Sequence, residues 1–118
     1  MQFSKTFALV ALATTASAAT CTVDGGATSH WKVRASGVHD IPGFCGGLWD
    51  NLNHWGGLCN PSYTYCNGKD GELIWNFTTG TACNRGHIES VWWEATKNEF
   101  GSIQCRDEPD KKKREFKA

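Results

Sequence analysis

No stretch of this sequence stays apolar for the ~20 residues that a membrane-spanning helix needs; the longest such run, FALVALATTASAA at 7–19, falls short. Membrane insertion is not expected. Charge of one sign is missing as well, since 12 Lys+Arg balance 12 Asp+Glu, so no global field draws the chain to nucleic acid or acidic membranes. Cysteines at C-x2-C spacing are absent: the six stand 24, 14, 7, 17 and 22 residues apart, which argues against a metal site. No G-x-S-x-G, H-E-x-x-H, P-loop or catalytic cysteine motif occurs, and neither an enzyme nor a cofactor-binding protein is expected.

What is there begins with a compartment signal. Lys5 gives a positive start, the apolar run follows, and Ala16-Ser17-Ala18 is a small-residue cleavage site, the pattern of a secretory signal peptide at 1–18. Its removal leaves 100 residues with 11 Lys+Arg against 12 Asp+Glu. A domain of that size buries only about 60 to 65% of its unfolded surface and needs reinforcement. Cys21, Cys45, Cys59, Cys66, Cys83 and Cys105 all follow the cleavage site, and an even number in a small exported chain implies three disulfides, with fifteen pairings open.

Along the chain, TVDGGATS reads as a loop, and Trp31, Val33 and Ala35 alternate with Lys32, Arg34 and Ser36 in a first strand over 30–38. Asp40 is an N-cap, Pro42 fits a first turn, and Phe44, Leu48, Leu52 and Trp55 form the stripe of a first helix. SYTYC and ELIWNFTTG flank Asn67-Gly-Lys-Asp-Gly71, which offers Asn-Gly and Asp-Gly turns, so they form a hairpin with Leu73, Trp75 and Phe77 on its core face. Asn84 caps a second helix whose stripe is Ile88, Val91, Trp92 and Ala95, Gly101 breaks it, and SIQC is a short last strand. The order predicts an α+β fold: a four-stranded antiparallel sheet with two helices on one face, the split βαββαβ of ferredoxin-like sandwiches. The domain is expected over 19–105, and the charged segment 106–118 is expected to be disordered.

Four histidines, His30, His39, His54 and His87, sit at element boundaries and are the candidate bases. A small secreted ribonuclease needs a histidine near the last cysteine, but Val91 to Cys105 contains none; activity on RNA lost on changing Glu94 or His87 would revive that reading. Asn76-Phe77-Thr78 is a candidate N-glycosylation site, Asn60-Pro61-Ser62 is excluded by its proline, and Lys113-Arg114 resembles a dibasic processing site. The acidic neighbours of KKKR cancel its field within the ~8 Å screening length of physiological salt.

Binding is the stronger prospect, because six tryptophans is a dense supply of the residue most enriched at interface hot spots. Trp31, Trp75 and Trp92 belong to the expected core faces, whereas Trp49 and Trp93 fall off their helical stripes and are the partner-binding candidates.

The phrases HWKVRASGVHDIPGFCGGLWDNL and GHIESVWWEATKNEFGSIQC resemble the small cysteine-rich effectors of plant-pathogenic fungi, and among them the secreted-in-xylem proteins of wilt-causing Fusarium that work in pairs. The resemblance implies a virulence role in a host plant, in the apoplast, the xylem or the host cell. It further implies binding to a second, co-secreted effector or a host plant protein, help for that partner in moving through plasmodesmata, and no catalytic residues. A different class, a secreted antifungal or killer-type toxin, shares the size, the disulfides and the α/β sandwich, but such toxins often carry a strong positive charge that this chain lacks.

Overall fold

A computed structural model describes residues 19–108. The signal peptide expected at 1–18 and the Lys113-Arg114 pair lie outside the described residues. The strands are β1 (Ala19–Asp24), β2 (Ser29–Ala35), β3 (Ser62–Lys69), β4 (Glu72–Thr79) and β5 (Cys105–Asp107); the helices are α1 (Ile41–Asn53) and α2 (Arg85–Thr96).

Alternation drives the sheet. Trp31, Val33 and Ala35 of β2 are buried between exposed His30, Lys32 and Arg34, and Leu73, Trp75 and Phe77 of β4 are buried as their period-two spacing requires. The β3–β4 hairpin turns at Asp70-Gly71, whose φ values of 54° and 82° are those of the Asp-Gly two-residue turn. Asn67-Gly68 stays within β3.

The class and the three disulfides agree with expectation, and the sheet does not. It has five strands in the order β3-β4-β2-β1-β5 and is mixed, because β5 runs parallel to β1 while every other pair is antiparallel. The additional strand, Ala19–Asp24, runs from before Cys21 into the start of the segment read as a loop, TVDGGATS. Thr20 and Thr22 alternate with buried Cys21 and Val23, and Gly25-Gly26 supplies the turn into β2 rather than a long irregular stretch. Inserted between β2 and the last strand, β1 takes the neighbour that a ferredoxin-like order gives to β2.

The last strand starts later than SIQC: Ile103 is buried as an anchor, and pairing begins at Cys105↔Cys21 and continues to Asp107↔Val23. The N–H of Glu108 then donates to the Val23 carbonyl at 2.9 Å. Arg106, Asp107 and Glu108 therefore belong to the domain, held by a ladder that their charged side chains did not announce.

Both helices cover the inner face. Asp40 caps α1, its carboxylate accepting from the Gly43 N–H at 3.1 Å, with Pro42 in the first turn. Asn84 caps α2 in a reciprocal box: its side chain accepts from the His87 N–H at 3.0 Å, and His87 Nδ1 accepts from the Asn84 N–H at 3.0 Å. The helix ends at Thr96, before Gly101, because Lys97 and Asn98 take left-handed φ values of 54° and 61°. The core holds Trp31, Trp75 and Trp92, each at most 2% exposed.

The disulfides are Cys21–Cys105, Cys45–Cys66 and Cys59–Cys83. They join β1 to β5, α1 to β3, and the turn after α1 to the turn before α2. Closing a separation of 84 residues removes about 4.5 kcal/mol of unfolded-chain entropy on the loop model, against about 3.4 kcal/mol for separations of 21 and 24.

Candidate interaction surface

The two tryptophans of VWWEAT part company at the helix surface. Ile88, Val91 and Trp92 of α2 are buried, and Trp92 spends its indole N–H on the Gly101 carbonyl at 3.0 Å. Trp93, 100° further round the helix, is 46% exposed. Glu94 and Lys97 pair at 3.7 Å on the same water-facing side, an exposed contact worth only ~0.5 kcal/mol. Glu89, one turn before Trp93, is held elsewhere: its carboxylate accepts the Cys105 N–H at 2.9 Å.

Trp49 is placed differently. It is half-buried, with its ring edge-to-face on Trp75 at 5.8 Å and on Phe77 at 5.9 Å, the arrangement that aromatic quadrupoles favour. The stripe through Leu48 and Leu52 widens on this side because β4 presents two aromatic rings to it. Trp49 is thereby committed largely to packing on β4, whereas Trp93 makes no ring contact among the described residues.

A shallow groove of about 220 Å³ lies between α2 and the C-terminal end of α1 with the turn after it, lined by Asn51, His54, Trp55, Ser90, Val91 and Glu94. Ser90, three residues before Trp93, and Glu94, the next residue, form its α2 rim, so Trp93 stands beside this groove. It brings His54 and Glu94 to one lining without a hydrogen bond between them among the described residues. The remaining histidines do not converge: His30 Nδ1 meets the Thr78 hydroxyl at 2.6 Å on the outer sheet face, and His39 meets Glu99 at 2.8 Å in an exposed pair. His87 lies with Cys59 and Cys83, their donor atoms all within 4.8 Å of one another.

Asn76, the candidate glycosylation site, sits half-buried on β4, one strand in from the edge, opposite Lys32 of β2 on one side and Tyr65 of β3 on the other. Its side-chain oxygen is buried without a partner. Two exposed aromatics were not singled out from the sequence: Tyr63 at 83% and Tyr65 at 50% exposure, both on edge strand β3. A signal for Tyr65 was available, since strand parity puts it on the face opposite Cys66, and Cys66 is tied to α1. Tyr63 was not legible, because it stands in a bulge with φ 50°.

No helix among the described residues is long and apolar enough to cross a membrane. Comparison with known proteins finds no matching family model, no matching curated protein and no matching solved structure.

Proposed function

We propose that this chain is a secreted virulence effector of a plant-pathogenic fungus that acts by binding a second, co-secreted effector protein, with Trp93 as the anchor of the contact. The observation that carries this reading is the exposure of Trp93 on a helix whose neighbouring Trp92 is wholly buried. A large amphipathic ring kept in water loses little freedom on docking and gains the most from burial in a partner's pocket. The three disulfides fit an exported domain. The resemblance of the run from Trp31 to Leu52 and of the tandem tryptophans to paired fungal effectors supplies the partner class and the host plant as the setting, including passage of the partner through plasmodesmata.

The test is retention of the co-secreted partner from infected host tissue by the tagged full-length protein and by its Trp93→Ala variant. Loss of a hot-spot tryptophan costs ~2 kcal/mol or more, a weakening of about 30-fold. Equal retention by a folded Trp93→Ala protein would remove Trp93 from the interface. Growth inhibition of competing microbes at micromolar protein, with no partner retained, would replace the effector by the toxin.

A further inference from the structure

We propose that Cys59, Cys83 and His87 form a binding site for a zinc-like divalent metal ion that exists only when the Cys59–Cys83 disulfide is reduced. In the oxidised protein the two sulfurs are bonded to each other, and the argument rests on what stands around them. The two sulfurs and a ring nitrogen of His87 all lie within 4.8 Å of one another. Tetrahedral zinc with Zn–S near 2.3 Å and Zn–N near 2.0 Å sets its donors about 3.6 to 3.8 Å apart, a separation that two free thiols approach by contact alone.

The donors are held by features other than the disulfide. Cys83 immediately precedes the cap residue Asn84, and His87 is the third residue of α2, so a C-x3-H pair is fixed by one helix terminus. Cys59 is anchored by its N–H, which donates to the Trp55 carbonyl at 2.7 Å, and Trp55 also covers the His87 ring at 4.4 Å between centroids. His87 Nδ1 accepts the Asn84 N–H, which places the ring proton of the neutral imidazole on Nε2 and leaves Nδ1 as its lone-pair donor. In the metal-free protein that lone pair is taken by the Asn84 N–H, so an ion at Nδ1 displaces this cap hydrogen bond, while the Asn84 side chain still accepts from the His87 N–H. Both cysteines are buried, while His87 is only half-buried and gives an ion a way in.

The chemistry balances with a small-molecule thiol as reductant. Two such thiols break the S–S bond, Cys59 and Cys83 each gain a hydrogen, and the reductant leaves as its own disulfide. Metal binding then sends the two thiol protons to solvent, and the imidazole keeps its Nε2 proton. Two thiolates neutralise the ion's charge, and the fourth tetrahedral position is left to water. A compartment rich in reduced thiols would thus exchange a covalent link between the two helix turns for a metal link.

The test is titration of the thiol-reduced full chain with Co²⁺, read by thiolate-to-metal charge transfer and tetrahedral d–d bands, followed by displacement with Zn²⁺. Expected are one Co²⁺ per chain in the reduced protein, none in the oxidised protein, no tetrahedral spectrum in Cys59→Ser/Cys83→Ser, and affinity lowered about tenfold or more in His87→Ala. Cys45→Ser/Cys66→Ser should keep the wild-type spectrum. The proposal is overturned if the reduced protein shows no tetrahedral Co²⁺, or if Cys59→Ser/Cys83→Ser or His87→Ala binds as wild type does, which would assign the metal to other thiols.

Discussion

Replacing Trp92 and Trp93 by alanine, one at a time, separates two roles that adjacent residues hold only on a helix. Trp92 is 0% exposed, packs near Phe100 and donates to the Gly101 carbonyl. Its truncation leaves a cavity and removes the partner of that carbonyl, a loss of about 3 to 5 kcal/mol from a total that is about 5 to 15 kcal/mol for a typical domain. Trp93, 46% exposed, gains about half of what full burial gives. Its truncation costs about 1 kcal/mol, partly offset by the better helix propensity of alanine. Urea unfolding followed by far-ultraviolet circular dichroism distinguishes them. At a slope of ~1.5 kcal/mol per molar, Trp92→Ala lowers the midpoint by about 2 to 3 M and Trp93→Ala by less than ~1 M. Equal midpoints in the two variants, or the larger loss at Trp93, would refute the assignment of the inner and outer indole.

Three further outcomes follow from local geometry. Gly46 lies inside α1 with open space where a Cβ would stand, so Gly46→Ala should raise stability by up to ~1 kcal/mol in the same urea assay. At Gly68 a Cβ would run into the backbone carbonyl of Glu72 and the Ile41 side chain, so Gly68→Ala should lower the midpoint and loosen the β3–β4 edge in amide exchange; an unchanged midpoint would contradict the register given for that hairpin. Proteolysis under non-reducing conditions should yield the linked pairs Cys21–Cys105, Cys45–Cys66 and Cys59–Cys83, and of the three Cys→Ser double variants the one at Cys21 and Cys105 should lose most stability, by about 1 kcal/mol more than the others on loop length.

The elements legible in the sequence were those whose local chemistry agreed with their packing. Asp40 with Pro42, Asn84 as a cap, Asp70-Gly71 as a turn and the alternation through Trp31–Ala35 and Leu73–Phe77 each carry a position-specific signal. The strand β1 was hidden because its outward positions are Thr20, Thr22 and Asp24 and its inward ones Ala19, Cys21 and Val23, a pattern with one large aliphatic residue that does not stand out beside Gly25-Gly26. The order of strands was not readable either: the parallel pairing of β1 with β5 joins residues 84 apart in sequence, and nothing local records it. At the candidate surface, helical periodicity separated Trp93 from Trp92, whereas it placed Trp49 outward without knowledge that Trp75 and Phe77 lie beneath it. The nearness of His87 to Cys59 and Cys83 likewise needed the turn after α1 and the cap of α2 to meet.

The measurement that bears most directly on the account is capture of the proposed co-secreted partner from infected plant tissue by wild-type protein and by Trp93→Ala, both shown to be folded by their urea midpoints. The account predicts that the wild-type chain retains one such secreted protein and that Trp93→Ala retains it about 30-fold more weakly. Retention unchanged by Trp93→Ala, or no partner held by the wild-type chain, would contradict it.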